Sequence, residues 1–250
     1  MSGDQSTLAP QPRRRLILLR HSETASPPGV LLGSRVDLGC SDRGRVLAAS
    51  AGARLRRYPI AAVVCSPLRR ARETAALAFP EALIAIDERL AEQDFGELTS
   101  LTWEEAKARF GDEARAWREG LGAPPGGEGH AALLNRVLAA TGGALDRSAR
   151  RGDVGEIVLV THSTPIRALI ARSRGWTAAD WRRIRVGYAQ PRIVRVALLD
   201  RWGIDAPRHL RAGATATGPS LASEGSCLPT VADAAIEGGR LTSAANLTAP

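Results

Sequence analysis

The chain is poor in the residues that would mark several classes of protein. It has no long apolar run: Leu16–Leu19 is four residues, against the roughly 20 that a membrane-spanning helix needs, so no membrane span is expected. Its cysteines are three, Cys40, Cys65 and Cys227, far apart and without CxxC or Cys/His spacing. No zinc site or other metal centre is expected from them, and an odd count without framework spacing fits a reducing cytoplasmic compartment. Lysine is nearly missing: Lys107 is the only one, so the formal charge of +8 is carried by arginine. Those arginines are scattered, with no stripe and no interleaved aromatics, so no nucleic-acid partner is expected; the excess suits a small anionic ligand. No apolar segment precedes the basic cluster Arg13–Arg15, so no signal peptide is expected. No internal repeat is visible.

What remains is a chain of 250 residues, 44% apolar, long enough for one sizeable α/β domain with tails. Residues 1–12 read as a disordered N-terminal tail, 13–212 as the domain, and 213–250, rich in Ala, Gly, Ser and Thr, as a disordered C-terminal tail. Within the domain, Arg15–Arg20, Ile60–Cys65 and Glu156–Thr161 are short apolar runs ending in turn signals, the pattern of strands buried on both faces. Ala82–Ile86 and Arg192–Leu199 are further strand candidates. Helices are expected from Ser41, as N-cap, to about Arg57; over Leu68–Leu77 with Ser66 as cap and Pro67 at the first position; through Leu133, Leu134, Val137 and Leu138 to about Arg150; and to about Ser173 with Thr164 as cap and Pro165 next. The stretch 87–127 reads as two short helices, near 102–110 and 112–119, inserted beside the sheet. The expectation is a three-layer α/β/α fold on a mostly parallel sheet.

Open α/β sheets place ligands beyond the carboxyl ends of their strands. Two of the chain's four histidines stand there: His21, after Arg20, and His162, before Ser163 and Thr164. A third junction supplies Arg70. Helix N-termini favour anions, and guanidinium forks match phosphate. An imidazole among such charges can attack phosphorus, and Glu92 and Asp94 are at hand to protonate a leaving group. His130 and His209 are expected at the surface, and Cys40 and Cys65 as small buried apolar residues.

These stretches resemble the histidine phosphatase superfamily, with its phosphoglycerate-mutase-like fold. Its Arg-His-Gly-Glu-Thr signature stands here as Arg20-His21-Ser22-Glu23-Thr24, and its Ser-x-Leu-x-Arg-Ala-x-x-Thr-Ala element as Ser66 to Ala75. Its acid stretch stands as Leu90-Ala91-Glu92-Gln93-Asp94-Phe95-Gly96, and Gly127-Glu128 and His162 follow in order. The resemblance covers about residues 14–200. It implies that His21 is phosphorylated, that Arg20, Arg70 and His162 hold the phosphoryl group, and that Glu92, the residue in motif register, is the proton donor in preference to Asp94. Ser163 is expected to contact the phosphate. Thr24 is a phosphate contact or a turn residue, and Glu23 a supporting or capping residue. No cofactor is implied; the partner is a small phosphate ester, and the oligomeric state is open. Three departures concern substrate choice: Ser22 for glycine, Pro27 where asparagine is common, and Gly39-Cys40 for a Pro-Leu pair. Glu92 and His162 are only 70 positions apart, which resembles the phosphatase branch, such as α-ribazole phosphatases and broad phosphomonoesterases. A mutase, with its longer insertion, and a catalytically inert binding protein are the alternatives.

Overall fold

A computed structural model describes residues 15–195. Five strands form one sheet in the order β3-β2-β4-β1-β5: β1 (Arg15–Arg20), β2 (Ile60–Cys65), β3 (Ile84–Ile86), β4 (Glu156–Thr161) and β5 (Pro191–Arg195). All neighbours are parallel except β5, which runs antiparallel to β1. The expected mostly parallel sheet is therefore present. The expected last strand is observed over its first part; beyond 195 it lies outside the described residues, as do the two tails, His209 and Cys227.

Successive side chains of a strand point to opposite faces, and here each face finds its own helical layer. Leu16, Leu18, Ile157 and Leu159 pack with Leu133, Val137, Ala140 and Ala144 of α4 (His130–Arg150) and Ile166 and Leu169 of α5 (Ser163–Ser173). Ile17, Leu19, Val158 and Val160 face the other way, onto Ala51 and Leu55 of α1 (Asp42–Leu55) and Ala71, Ala75 and Ala78 of α2 (Arg69–Ala78). Both faces of β1 and β4 are covered, which is why their apolar runs are unbroken. Among the described residues no helix is long and apolar enough to cross a membrane.

The inserted segment has its own small core of Phe95, Leu98, Ala106, Ala114 and Trp117. The two helices expected there form α3 (Trp103–Arg118), broken at Gly111, whose φ of 47° and ψ of −115° lie outside the helical region. An L side chain disfavours that conformation, so the glycine sets the break.

Helix starts differ from expectation in two places. Ser41 caps α1 as expected, its Oγ accepting the Gly44 N–H at 3.0 Å. Ser66 does not cap α2: the helix begins at Arg69, and its first N–H is taken by Asp37 Oδ1 at 2.5 Å, from the loop after β1. α5 begins at Ser163 directly after His162, so Thr164 and Pro165 lie inside its first turn. In neither case does the expected serine or threonine cap the helix through its side chain.

Candidate active site

Register builds the site. β1 and β4 pair with Arg20 opposite Thr161, so the residues that follow, His21 and His162, leave the sheet side by side. The His21 N–H donates to Thr161 O at 2.8 Å, and the two imidazole rings lie 5.0 Å apart between centroids. β2 flanks β4 on the other side. Ser66 N donates to Val160 O at 2.9 Å, which brings Ser66 Oγ to 2.7 Å from His162 Nε2. That contact is the true use of Ser66, and the sequence motif alone did not reveal it.

Both histidines are buried, and their positions dictate their protonation. His21 Nδ1 lies 2.7 Å from Ser22 O; a carbonyl only accepts, so Nδ1 carries the proton and the lone pair is on Nε2. Burial, reinforced by the Arg20 and Arg70 charges, pushes the His21 pKa well below its ordinary value. His162 is fully buried and is also held well below the ordinary range, first by burial and then by His21 and the arginines. Both rings are neutral near pH 7. His162 Nδ1 is buried and has no partner among the described residues.

The arginines bracket the pair. Arg70, on the first turn of α2, is fully buried and donates Nη1 to Val36 O and Nη2 to Gly33 O, both at 2.7 Å. It thus pins the loop that follows β1. Arg20 donates Nη1 to Val186 O at 2.7 Å, and its guanidinium stacks on Tyr188 at 3.9 Å from the ring centre. Arg20 Nε and Arg70 Nε are buried donors without partners among the described residues. Such groups are costly to leave unmade, by about 1–3 kcal/mol each, and a bound oxyanion would satisfy them. Burial lowers both guanidinium pKa values, which still leaves them charged at neutral pH.

Glu92 completes the cluster. Its carboxylate is buried, accepts the Gln93 N–H at Oε1 (2.9 Å), and accepts Ser163 Oγ at Oε2 (3.2 Å). Ser163, expected on phosphate, is therefore tied to the candidate acid. Asp94 is drawn elsewhere: it pairs with Arg35 at 2.7 Å and accepts Gly96 N–H. Thr24 forms an isolated antiparallel bridge with Cys40, and its hydroxyl lies 3.0 Å from Ser26 Oγ. Glu23 accepts Ser41 Oγ and Arg43, the supporting role expected of it. Ser22 fills its site usefully: its Oγ donates to Gly44 O at 2.6 Å. A side chain at 44 would meet Glu23 O at 2.1 Å, so only glycine lets α1 approach this closely.

Four side chains of this region were not singled out from sequence. Arg136 of α4 bonds Arg89 O, Ala91 O and Glu92 O while pairing with Glu128. Gln93 is buried and donates to Glu128 O. Tyr188 faces both Arg20 and His21, with 5.6 Å between the Tyr188 and His21 ring centres. Arg167 donates to Ile184 O. The one usable signal was Arg136 lying three residues after Leu133 on a helix whose buried face that leucine marks. Two assignments need correction. His130 is not a surface residue: it is half-buried, edge-on to Trp181 at 4.8 Å between ring centres, with Nδ1 3.0 Å from Gly122 O. Cys40 is only half-buried, unlike the fully buried Cys65, and its Sγ lies 3.5 Å from Arg70 O.

Two neutral histidines between two arginines stand at the carboxyl ends of adjacent parallel strands of an α/β fold, a set of groups suited to an oxyanion. The chain belongs to the histidine phosphatase superfamily (branch 1), whose family model matches residues 16–202. A bifunctional protein of Mycobacterium tuberculosis is 37% identical over 161 residues, 62% of this chain but only 43% of that protein. The chain thus spans less than half the length of that relative. Glucosyl-3-phosphoglycerate phosphatase of Mycolicibacterium vanbaalenii is 32% identical over 174 residues, 67% of this chain and 77% of the relative. The native structure of a mycobacterial glucosyl-3-phosphoglycerate phosphatase superposes with a TM-score of 0.65 at 29% identity, covering 72% of this chain and 89% of that one.

Proposed function

We propose that the protein is a phosphomonoesterase that hydrolyses a small phosphorylated metabolite through a phosphohistidine at His21, in the cytoplasm and without a cofactor. The observation that carries this reading is the His21 ring: its proton is committed to Ser22 O, and its free nitrogen lies among two buried arginines with unmet donors. In the first step Nε2 attacks phosphorus, the ester P–O bond breaks, and Glu92 gives its proton to the departing oxygen. Arg20, Arg70 and His162 hold the phosphoryl oxygens. Ser66, donating to His162 Nε2, leaves the other ring nitrogen protonated and able to donate. In the second step water attacks the phosphohistidine, Glu92 takes up its proton, and the P–N bond electrons return to His21. Ser163 holds the Glu92 carboxylate in place. The names of the similar proteins, phosphatases among them, support hydrolysis of a phosphorylated metabolite.

The test is chemical trapping. The wild type, given an aryl phosphate without added metal and quenched in alkali, should carry an acid-labile, base-stable phosphoryl group on His21, located by mass spectrometry. His21→Ala should lose both adduct and turnover. Retention of most turnover in that variant would refute the covalent scheme.

A further inference from the structure

Arg20 and Arg70 are held in different ways. Arg70 is fixed along two edges of its guanidinium, with Nη1 on Val36 O and Nη2 on Gly33 O. Arg20 has one such carbonyl, Val186 O on Nη1, and its Nε is a buried donor without a partner among the described residues. A single edge contact leaves a planar group free to swing about that bond. The second constraint on Arg20 comes from Tyr188, whose ring centre lies 3.9 Å from the guanidinium carbon. One contact on the edge and one on the face leave the guanidinium a single plane, and so a single direction for Nε.

The ring is itself fastened to the strand end that carries the reacting groups. Ala189 N–H donates to Arg20 O at 3.2 Å and to His21 O at 3.4 Å, and Arg54 Nη2 donates to Ala189 O at 3.2 Å. Ala189 does this with a φ of 48°, a left-handed conformation that residues other than glycine seldom adopt. Backbone of that kind persists where its surroundings over-determine it. Tyr188 is also 38% exposed, so its ring is poorly placed to serve as core filling. We infer that Tyr188 is a positioning residue, whose ring holds the Arg20 guanidinium in the plane from which the free Nε meets a phosphoryl oxygen. The inference rests on the phosphomonoesterase reading, and adds the residue that orients one of its two phosphate-binding arginines.

The test measures kinetics and phosphate binding in Tyr188→Leu and Tyr188→Phe, each alone and combined with Arg20→Met. A cation–aromatic contact between the exposed and the desolvated limits carries about a 5- to 30-fold effect. Tyr188→Leu should lower kcat/KM for p-nitrophenyl phosphate, and weaken calorimetric binding of inorganic phosphate, by that factor. Tyr188→Phe, which keeps the ring, should restore most of both. In the Arg20→Met background, where nothing is left to orient, Tyr188→Leu should change kcat/KM by less than about twofold. A Tyr188→Leu variant that matches the wild type overturns the proposal. So does a Tyr188→Phe variant that falls as far as Tyr188→Leu, since the hydroxyl and not the stacked ring would then matter. Equal losses from Tyr188→Leu with and without Arg20 would make Tyr188 a structural residue and overturn it too. If the wild type binds phosphate but hydrolyses no phosphate monoester, the phosphomonoesterase reading fails by itself, and phosphate affinity across the same variants decides the role of Tyr188. A wild type that binds no phosphate overturns both.

Discussion

The candidate acid sits on a strap that Arg136 ties to α4 through three carbonyls, and removing that side chain should cost both stability and catalysis in amounts that can be stated. Arg136 makes two charge-assisted contacts to Glu128, at 2.6 and 2.7 Å, and bonds to three consecutive-region carbonyls: Arg89 at 2.7 Å, Ala91 at 2.8 Å and Glu92 at 3.0 Å. Arg136→Met keeps an apolar stem of similar length and deletes all five contacts. Breaking a fully buried ion pair by removing one partner costs about 3–5 kcal/mol. The side chains of this pair are 22% and 17% exposed, which lets water reach part of the stranded carboxylate, so the lower end, about 3 kcal/mol, is expected. In a domain of this size that corresponds to a loss of roughly 6–12 °C in Tm. Urea unfolding followed by circular dichroism measures the first figure and a thermal melt the second. The catalytic consequence has its own signature. Arg136 acts through Glu92, so kcat should fall more for alkyl phosphates, which need protonation of the leaving oxygen, than for aryl phosphates. The double variant Arg136→Met/Glu128→Gln should recover part of the stability, because the stranded charge is gone. A loss below about 1 kcal/mol in the single variant, with both kcat values retained, would show that the pair behaves as an ordinary surface ion pair and that the strap holds itself.

Arg70→Ala should lower kcat/KM for an aryl phosphate by about 10²–10³, the usual effect of deleting one preorganised donor to developing charge, while Arg69→Ala and Arg72→Ala, exposed on the same helix, should change it by less than about threefold. Equal losses at the three positions, read from steady-state kinetics, would mean a diffuse basic surface in place of a pocket. Glu92→Gln should cost most activity on an aliphatic ester and far less on p-nitrophenyl phosphate; equal losses would reassign Glu92 to positioning and make Asp94 the next acid to test. Stability should also follow pH through the two histidines. Burial depresses their folded pKa values, so between those values and the unfolded value near 6.5 the unfolded chain binds more protons. Their contribution is therefore fully present above about pH 6.5 and is lost as pH falls towards the folded pKa values. The urea midpoint of the wild type should drop over that window more steeply than that of His162→Asn, and parallel curves would refute the argument.

The parts of the site that could be read in sequence are those where chemistry and fold coincide on one residue. His21 and His162 were legible because each ends an apolar run, and parallel pairing of β1 with β4 then does the rest: Arg20 opposite Thr161 leaves the two rings 5.0 Å apart without any further instruction. Glu92 was preferred to Asp94 only through motif register; in the structure Arg35 and the Gly96 N–H occupy Asp94. The start of α2 was misjudged for an identifiable cause. A Ser-Pro pair after a strand carries the local chemistry of a cap, but local chemistry loses when a distant acceptor is better placed. Asp37, 32 residues earlier in the chain, takes the first N–H of α2, and Ser66 goes to His162. His130 was misread because nothing near it in sequence announces Trp181, 51 residues away, whose ring covers it. Arg136, Arg167 and Tyr188 escaped for the same reason in stronger form. Most of their partners are backbone carbonyls brought close by tertiary folding, and a carbonyl is present at every residue, so it leaves no mark in the sequence. Motif reading finds the groups that would react. The groups that hold them become visible only in the hydrogen bonds around those reactive side chains.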